Sequence, residues 1–149
     1  MNSATLLLLV AFATGAGLAV QAVVNVRLRD ALGSPLWAAA VQVVVGLTPL
    51  VALMLLTRVP SPTVAIAAQQ PWWIWTGGLF GVTYVLVSIL LTPKLGAALM
   101  LATTIVGQLT AAMLVDHFGW FGATPIRMSP LRVAGAGLLV LGVVLMRRG

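Results

Sequence analysis

The stretch LGAALMLATTIVGQLTAAMLV, from Leu95 to Val115, runs 21 residues without a formal charge. Coiled into a helix at 1.5 Å per residue it spans about 31 Å, the thickness of a bilayer's hydrocarbon core. Working outward, further uncharged runs cover 26 residues (Met1 to Val26), 27 (Ala31 to Thr57), 35 (Val59 to Pro93) and 14 (Val133 to Met146). Only 10 of 149 residues are Asp, Glu, Lys or Arg, or 7%, where a soluble domain carries about a quarter. So few charges cannot clothe a surface in water. The short alternating segments of a transmembrane barrel are missing. The chain reads as an all-α integral membrane protein.

Five spans are predicted, at about residues 4–26, 35–56, 71–92, 95–115 and 130–146, in one domain covering 1–149. Arg27-Leu28-Arg29-Asp30 reads as a charged turn, after which Ser34 can cap and Pro35 suits a first helical position. Thr57 to Gln70 reads as a loop, Pro93-Lys94 as a short turn, and Asp116 to Ser129 as a second loop. The first segment lacks a basic start and carries Gln21 and Asn25 near its end, so it reads as a span and not a cleaved signal peptide. The last span has only 14 uncharged residues, about 21 Å. Either Arg132 and Arg147 snorkel to opposite surfaces, or Arg132 faces a cavity.

The charges also bear on orientation. With the N-terminus outside, Arg27, Arg29, Lys94, Arg147 and Arg148 fall on the cytoplasmic side, against Arg58, Arg127 and Arg132 outside. Five against three is a weak positive-inside bias, which fits a chain that inserts both ways. Five helices enclose little by themselves. Two copies, one inverted, make a ten-helix inverted repeat of the kind secondary transporters use. The formal charge of +6 lies at span ends, where it meets lipid head groups and not nucleic acid.

Polar residues inside spans point to protein or water. Thr14, Gln21 and Asn25 share a face of the first span; Gly77, Gly81, Tyr84 and Ser88 share one of the third. The second span carries Gln42, and the fourth Thr104 and Gln108. They either bond helix to helix or line a shared cavity for a small molecule. Trp72, Trp73 and Trp75 form an interfacial belt or the aromatic mouth of that site. Gly77-x3-Gly81 has close-packing spacing, and Gly135, Gly137 and Gly142 leave the fifth span thin on one side. Asp116 beside His117 is a head-group pair or, histidine being the side chain that changes charge near neutral pH, a gate or proton site.

Other chemistries drop out. There are no cysteines and one histidine, so thiolate and histidine-rich metal sites are excluded. No serine has a histidine–acid context, the two acids are far apart in sequence, and the glycines of the last span follow no strand. No enzyme activity, metal or cofactor is expected.

Five segments carry a resemblance. They are Gly15-Ala-Gly-Leu-Ala-Val-Gln-Ala-Val-Val-Asn25, Leu32-Gly-Ser-Pro-Leu-Trp37, Pro71-Trp-Trp-Ile-Trp-Thr-Gly-Gly78, Pro93-Lys-Leu-Gly-Ala-Ala98, and Gly107-Gln108 leading into Asp116-His-Phe-Gly119. Together they resemble the YdcZ-like bacterial inner-membrane proteins, a five-helix branch of the drug/metabolite transporter superfamily. The resemblance implies a multi-pass inner-membrane transporter, working as a dual-topology homodimer or with an oppositely oriented paralogue. It carries amide positions onto Gln21, Asn25 and Gln108, an aromatic cluster onto Trp72, Trp73 and Trp75, and an acidic corner onto Asp116 and His117. The related small multidrug exporters place a glutamate in their first helix, where this chain has Gln21 and Asn25. The expected function is therefore alternating-access transport of a neutral or amphipathic solute. A non-transporting scaffold or half-subunit is the alternative, and a channel a third.

Overall fold

The computed structural model describes residues 2–149, with the side chains of Ser3, Ala65 and Ala67 left aside. It is all helical: α1 (Ser3–Leu32), α2 (Pro35–Leu56), α3 (Val64–Ala68), a 3₁₀ segment (Trp72–Thr76), α4 (Gly77–Leu95), α5 (Ala97–Phe118), a 3₁₀ turn (Trp120–Gly122) and α6 (Pro130–Arg148). Five helical stretches, Ala4–Leu32, Pro35–Leu56, Trp72–Leu95, Ala97–Phe118 and Pro130–Arg148, have the length and composition to cross a membrane. Their most apolar windows are at most 11% buried inside the chain. Their Leu, Val and Phe side chains therefore point outward, the reverse of a soluble helix, which hides its apolar stripe.

The helix ends follow local chemistry and correct several expected boundaries. α1 continues through Arg27–Asp30, which is no turn, because the first residue able to close the helix is Gly33, at φ 65°. Arg29 bonds the Asp30 carboxylate at 2.6 Å within that last stretch. Ser34 then accepts the Trp37 N–H at 3.4 Å with Pro35 in the first turn of α2, as the sequence predicts. Pro93-Lys94 likewise lies inside α4; the break falls at Gly96, φ 78°. A proline so near a helix end forfeits one internal bond, but it cannot supply the positive φ at which the helix stops. α5 runs on past Val115 to Phe118 and stops at Gly119, φ 64°. A Cβ there would lie 2.8 Å from Pro125 Cγ, so this glycine is required twice over. The loop after α2 contains α3, where Thr63 Oγ1 accepts the Ile66 N–H at 3.4 Å.

Packing concentrates in two compact units, Met1–Lys94 and Leu95–Gly149. In the first, α1 and α2 are neighbours joined by the tight Gly33-Ser34 connection. Ala38, Ala39 and Ile89 form its core, with Leu28, Val85 and Leu86 against them, so α4 packs where two alanines leave room. In the second, α5 packs against α6. The connection between them is held to the end of α5: the Ile126 N–H donates to the Asp116 carbonyl at 2.8 Å and the Met128 N–H to His117 Nδ1 at 3.4 Å.

Candidate functional site

A polar layer lies in the first unit. The Asn25 amide Nδ2 donates to Gln42 Oε1, linking α1 to α2. Asn25 is 4% exposed and Gln42 half-buried. On α4, Ser88 is 2% exposed and donates its hydroxyl to the Val85 carbonyl at 2.8 Å. Asn25, Gln42 and Ser88 each stand seven residues from a helix end, at Leu32, Pro35 and Leu95 respectively. That is about 10 Å of helix rise from each end. The alanine–isoleucine core, with Leu28 against it, is built from turns adjoining these three residues.

The local sequence explains this arrangement. Ala22, Asn25 and Leu28 repeat on the buried face of α1; Ala38, Ala39 and Gln42 form that of α2; Val85, Ser88, Ile89 and Thr92 form that of α4. Thr92 was not among the residues singled out by sequence. It is 7% exposed, and its Oγ1 is buried with no hydrogen-bond partner among the described residues. Its signal was available: four residues after Ser88 and immediately before Pro93, it continues the polar face. Pro93 also brings no N–H for the Ile89 carbonyl, so the last turns of α4 hold spare hydrogen-bonding capacity. The Asn25–Gln42 bond uses one donor and one acceptor, leaving Asn25 Oδ1 and the Gln42 NH₂ to offer. Such a set can bind a neutral or hydrogen-bonding solute and carries no charge to hold an ion by attraction.

The other expected site residues fall in different places. Gln21 lies one turn before Asn25, half-buried, and Tyr84 one turn before Ser88, half-buried; neither side chain makes a hydrogen bond among the described residues. Trp72 and Trp75 stand 78% and 63% exposed in the 3₁₀ segment, where a spacing of three puts them on one edge. Thirteen residues separate Trp75 from Ser88, about 20 Å of helix, so the third span holds its aromatics and Ser88 at different depths. The glycines expected to pack closely have no neighbour from another element: a Cβ on Gly77, Gly81, Gly135, Gly137 or Gly142 would find nothing within 4 Å beyond its own turn of helix among the described residues.

The second unit holds Thr104, Gln108, Asp116 and His117. Thr104 bonds back to the Met100 carbonyl at 2.9 Å. Gln108 is exposed, without a hydrogen bond among the described residues, and stands 11 residues from the start of α5 and ten from its end. Asp116 meets Arg132 at 3.8 Å, a pairing across the loop that sequence reading missed. Arg132 also lines a cleft between α5 and α6. His117 accepts at Nδ1, which leaves the proton of the neutral ring on Nε2, and its ring meets Phe118 edge-on.

A family model described as "Putative inner membrane exporter, YdcZ" matches residues 6–145. The chain belongs to the YdcZ family. It is also 30% identical over 147 residues to "Inner membrane protein YdcZ" of Escherichia coli (strain K12), covering 99% of this chain and 97% of that protein. No solved structure matches. Membership makes this an inner-membrane protein with five candidate spans, in a YdcZ family described by export and not by an enzymatic reaction.

Proposed function

We propose that this chain is a small-molecule secondary transporter of the drug/metabolite type, working by alternating access as an antiparallel dimer. The observation that carries the reading is Gln108. It sits at the middle of α5, exposed and unbonded among the described residues. An amide facing hydrocarbon without a partner costs about 4–8 kcal/mol, so it belongs against protein or a water-filled path. The open spaces beside Gly77 and Gly81 fit the same reading, because a surface with close-packing spacing meets no neighbour there among the described residues.

Inversion also supplies what one chain lacks. Asn25, Gln42 and Ser88 lie near one end of their helices, while Trp72 and Trp75 lie at the other end of the third span. A second copy turned over brings its aromatics level with the first copy's amides. The solute is then neutral or amphipathic, bonded by Gln21, Asn25, Gln42, Tyr84, Ser88, Thr104 and Gln108 and stacked on Trp72 and Trp75, with Asp116 and His117 at the gate. A partner chain of opposite orientation would serve equally.

The Asn25–Gln42 bond favours a second reading, a scaffold whose polar groups only join helices. Labelling separates orientation, and transport separates function. The chain has no cysteine, so single cysteines at Ser61 and Gly149 can be probed from each side of sealed membranes. The expected result is labelling of both sites from both sides; one-sided labelling refutes the homodimer. In reconstituted vesicles, Gln21→Leu and Asn25→Leu should stop solute flux while the dimer persists. Normal flux in both removes α1 from the site.

A further inference from the structure

The α5–α6 unit contains a cleft that shares Asp116 with the proposed gate. Its volume is about 450 Å³, and Ala112, Met113, Gly135 and Ala136 line it, with Asp116 and Arg132 the charged members. A second hollow of about 180 Å³, lined by Ile105, Gly142 and Met146, shares Leu139 with the first. The two follow one another along the α5–α6 seam. From Arg132 to Met146 is 14 residues, about 21 Å of helix, against about 15 Å for half of a bilayer's hydrocarbon core. The seam is long enough for the tail of a lipid in one leaflet.

The charges select the head group. Arg132 Nη1 and Asp116 Oδ2 are 3.8 Å apart, a single loose contact, and the two side chains are 47% and 40% exposed. They lie two residues inside the end of α5 and two inside the start of α6, near the membrane boundary. A bare anion drawn to Arg132 meets the Asp116 carboxylate, and a bare cation drawn to Asp116 meets the guanidinium. A molecule carrying both signs satisfies both. The ammonium would donate to Asp116, and the phosphate would accept from Arg132, the planar donor suited to phosphate oxygens. Small residues at Gly135 and Ala136 leave the wall open for the tail, since a Cβ on Gly135 meets nothing within 4 Å.

We infer that this seam is a groove for an aminophospholipid, with its ammonium on Asp116, its phosphate on Arg132 and one acyl chain along α5 and α6. The inference shares Asp116 with the proposed gate, but its residues belong to one hairpin of a single chain and its readout is lipid retention, not flux. The test is native mass spectrometry of the full chain in detergent, with equal amounts of phosphatidylethanolamine, phosphatidylglycerol and phosphatidylcholine. One phosphatidylethanolamine should be retained per chain, about tenfold over phosphatidylglycerol, the factor expected for one charge-assisted hydrogen bond. Asp116→Asn should erase that preference, and Arg132→Gln should weaken retention of both lipids. Gly135→Leu, and Ala136→Leu as a second variant should the first misfold, should displace the lipid with helical content unchanged; Leu131→Ala, outside the groove, should not.

Three outcomes overturn the inference. Equal or stronger retention of phosphatidylglycerol makes this a simple anion site. Equal retention of phosphatidylcholine with no effect of Asp116→Asn removes the ammonium contact. Undiminished phosphatidylethanolamine in folded Gly135→Leu and Ala136→Leu, with a changed monomer–dimer ratio, assigns the groove to a second copy of the chain.

Discussion

Breaking the Asn25–Gln42 bond in two ways separates structural glue from a solute site. Asn25 is 4% exposed, so Asn25→Leu replaces a buried amide with an apolar side chain of similar size. The hydrogen bond itself is worth about 0.6 kcal/mol on average between membrane helices, with a maximum near 1.7. The larger cost is the Gln42 amide left without its partner, about 1–3 kcal/mol for a buried group. We expect Asn25→Leu to destabilise the first unit by about 1–2 kcal/mol. Gln42→Leu should cost a similar amount, since it strands Asn25. The double substitution removes both amides, and such an exchange is close to neutral, so stability should return to within about 0.5 kcal/mol of the parent. Unfolding in mixed micelles, followed by helical signal for all four proteins, gives the coupling energy. Solute flux in vesicles gives the functional result: the double variant should be stable and inactive. A stable double variant with normal flux refutes a binding role for the amides, and additive losses refute the bond.

Other outcomes follow from single positions. Gly119→Ala should cost more than 2 kcal/mol in unfolding experiments, about 1–2 for left-handed backbone plus the contact of its Cβ with Pro125, whereas Gly135→Ala should change stability by less than about 0.5. Thr92→Val keeps the shape and removes a hydroxyl that has no partner among the described residues, so stability should hold or rise by up to about 1 kcal/mol. A loss of flux in that stable variant would show the hydroxyl engaged in another state of the transport cycle, and a marked destabilisation would show it bonded here. Asp116→Asn and Arg132→Gln should each shift unfolding by less than about 1 kcal/mol, because both partners are substantially exposed. Larger shifts would mean that the ion pair holds α5 to α6.

Span number was legible because a bilayer imposes a length on an uncharged run, and that constraint acts on sequence directly. Helix boundaries were less legible. Charges at Arg27 to Asp30 suggested a turn, but charge does not break a helix; positive-φ glycines at 33, 96 and 119 do. The polar faces of α1 and α4 were visible as spacing, since residues four apart share a face in any helix. Their partners were not. Nothing local says that Asn25 meets Gln42 and not Gln21's neighbours, or that Arg132 reaches Asp116 across a loop.

By itself, then, the sequence determined the solvent and the number of candidate spans, because both follow from composition along a rigid helical repeat. Only tertiary structure decided which amides pair, that Thr92 is buried without a partner among the described residues, and that small residues on α5 and α6 open a cleft that holds an ion pair. Those facts depend on how helices distant in sequence lie side by side. In a membrane that is set by packing and hydrogen bonds between helices, which a pattern along one helix does not contain.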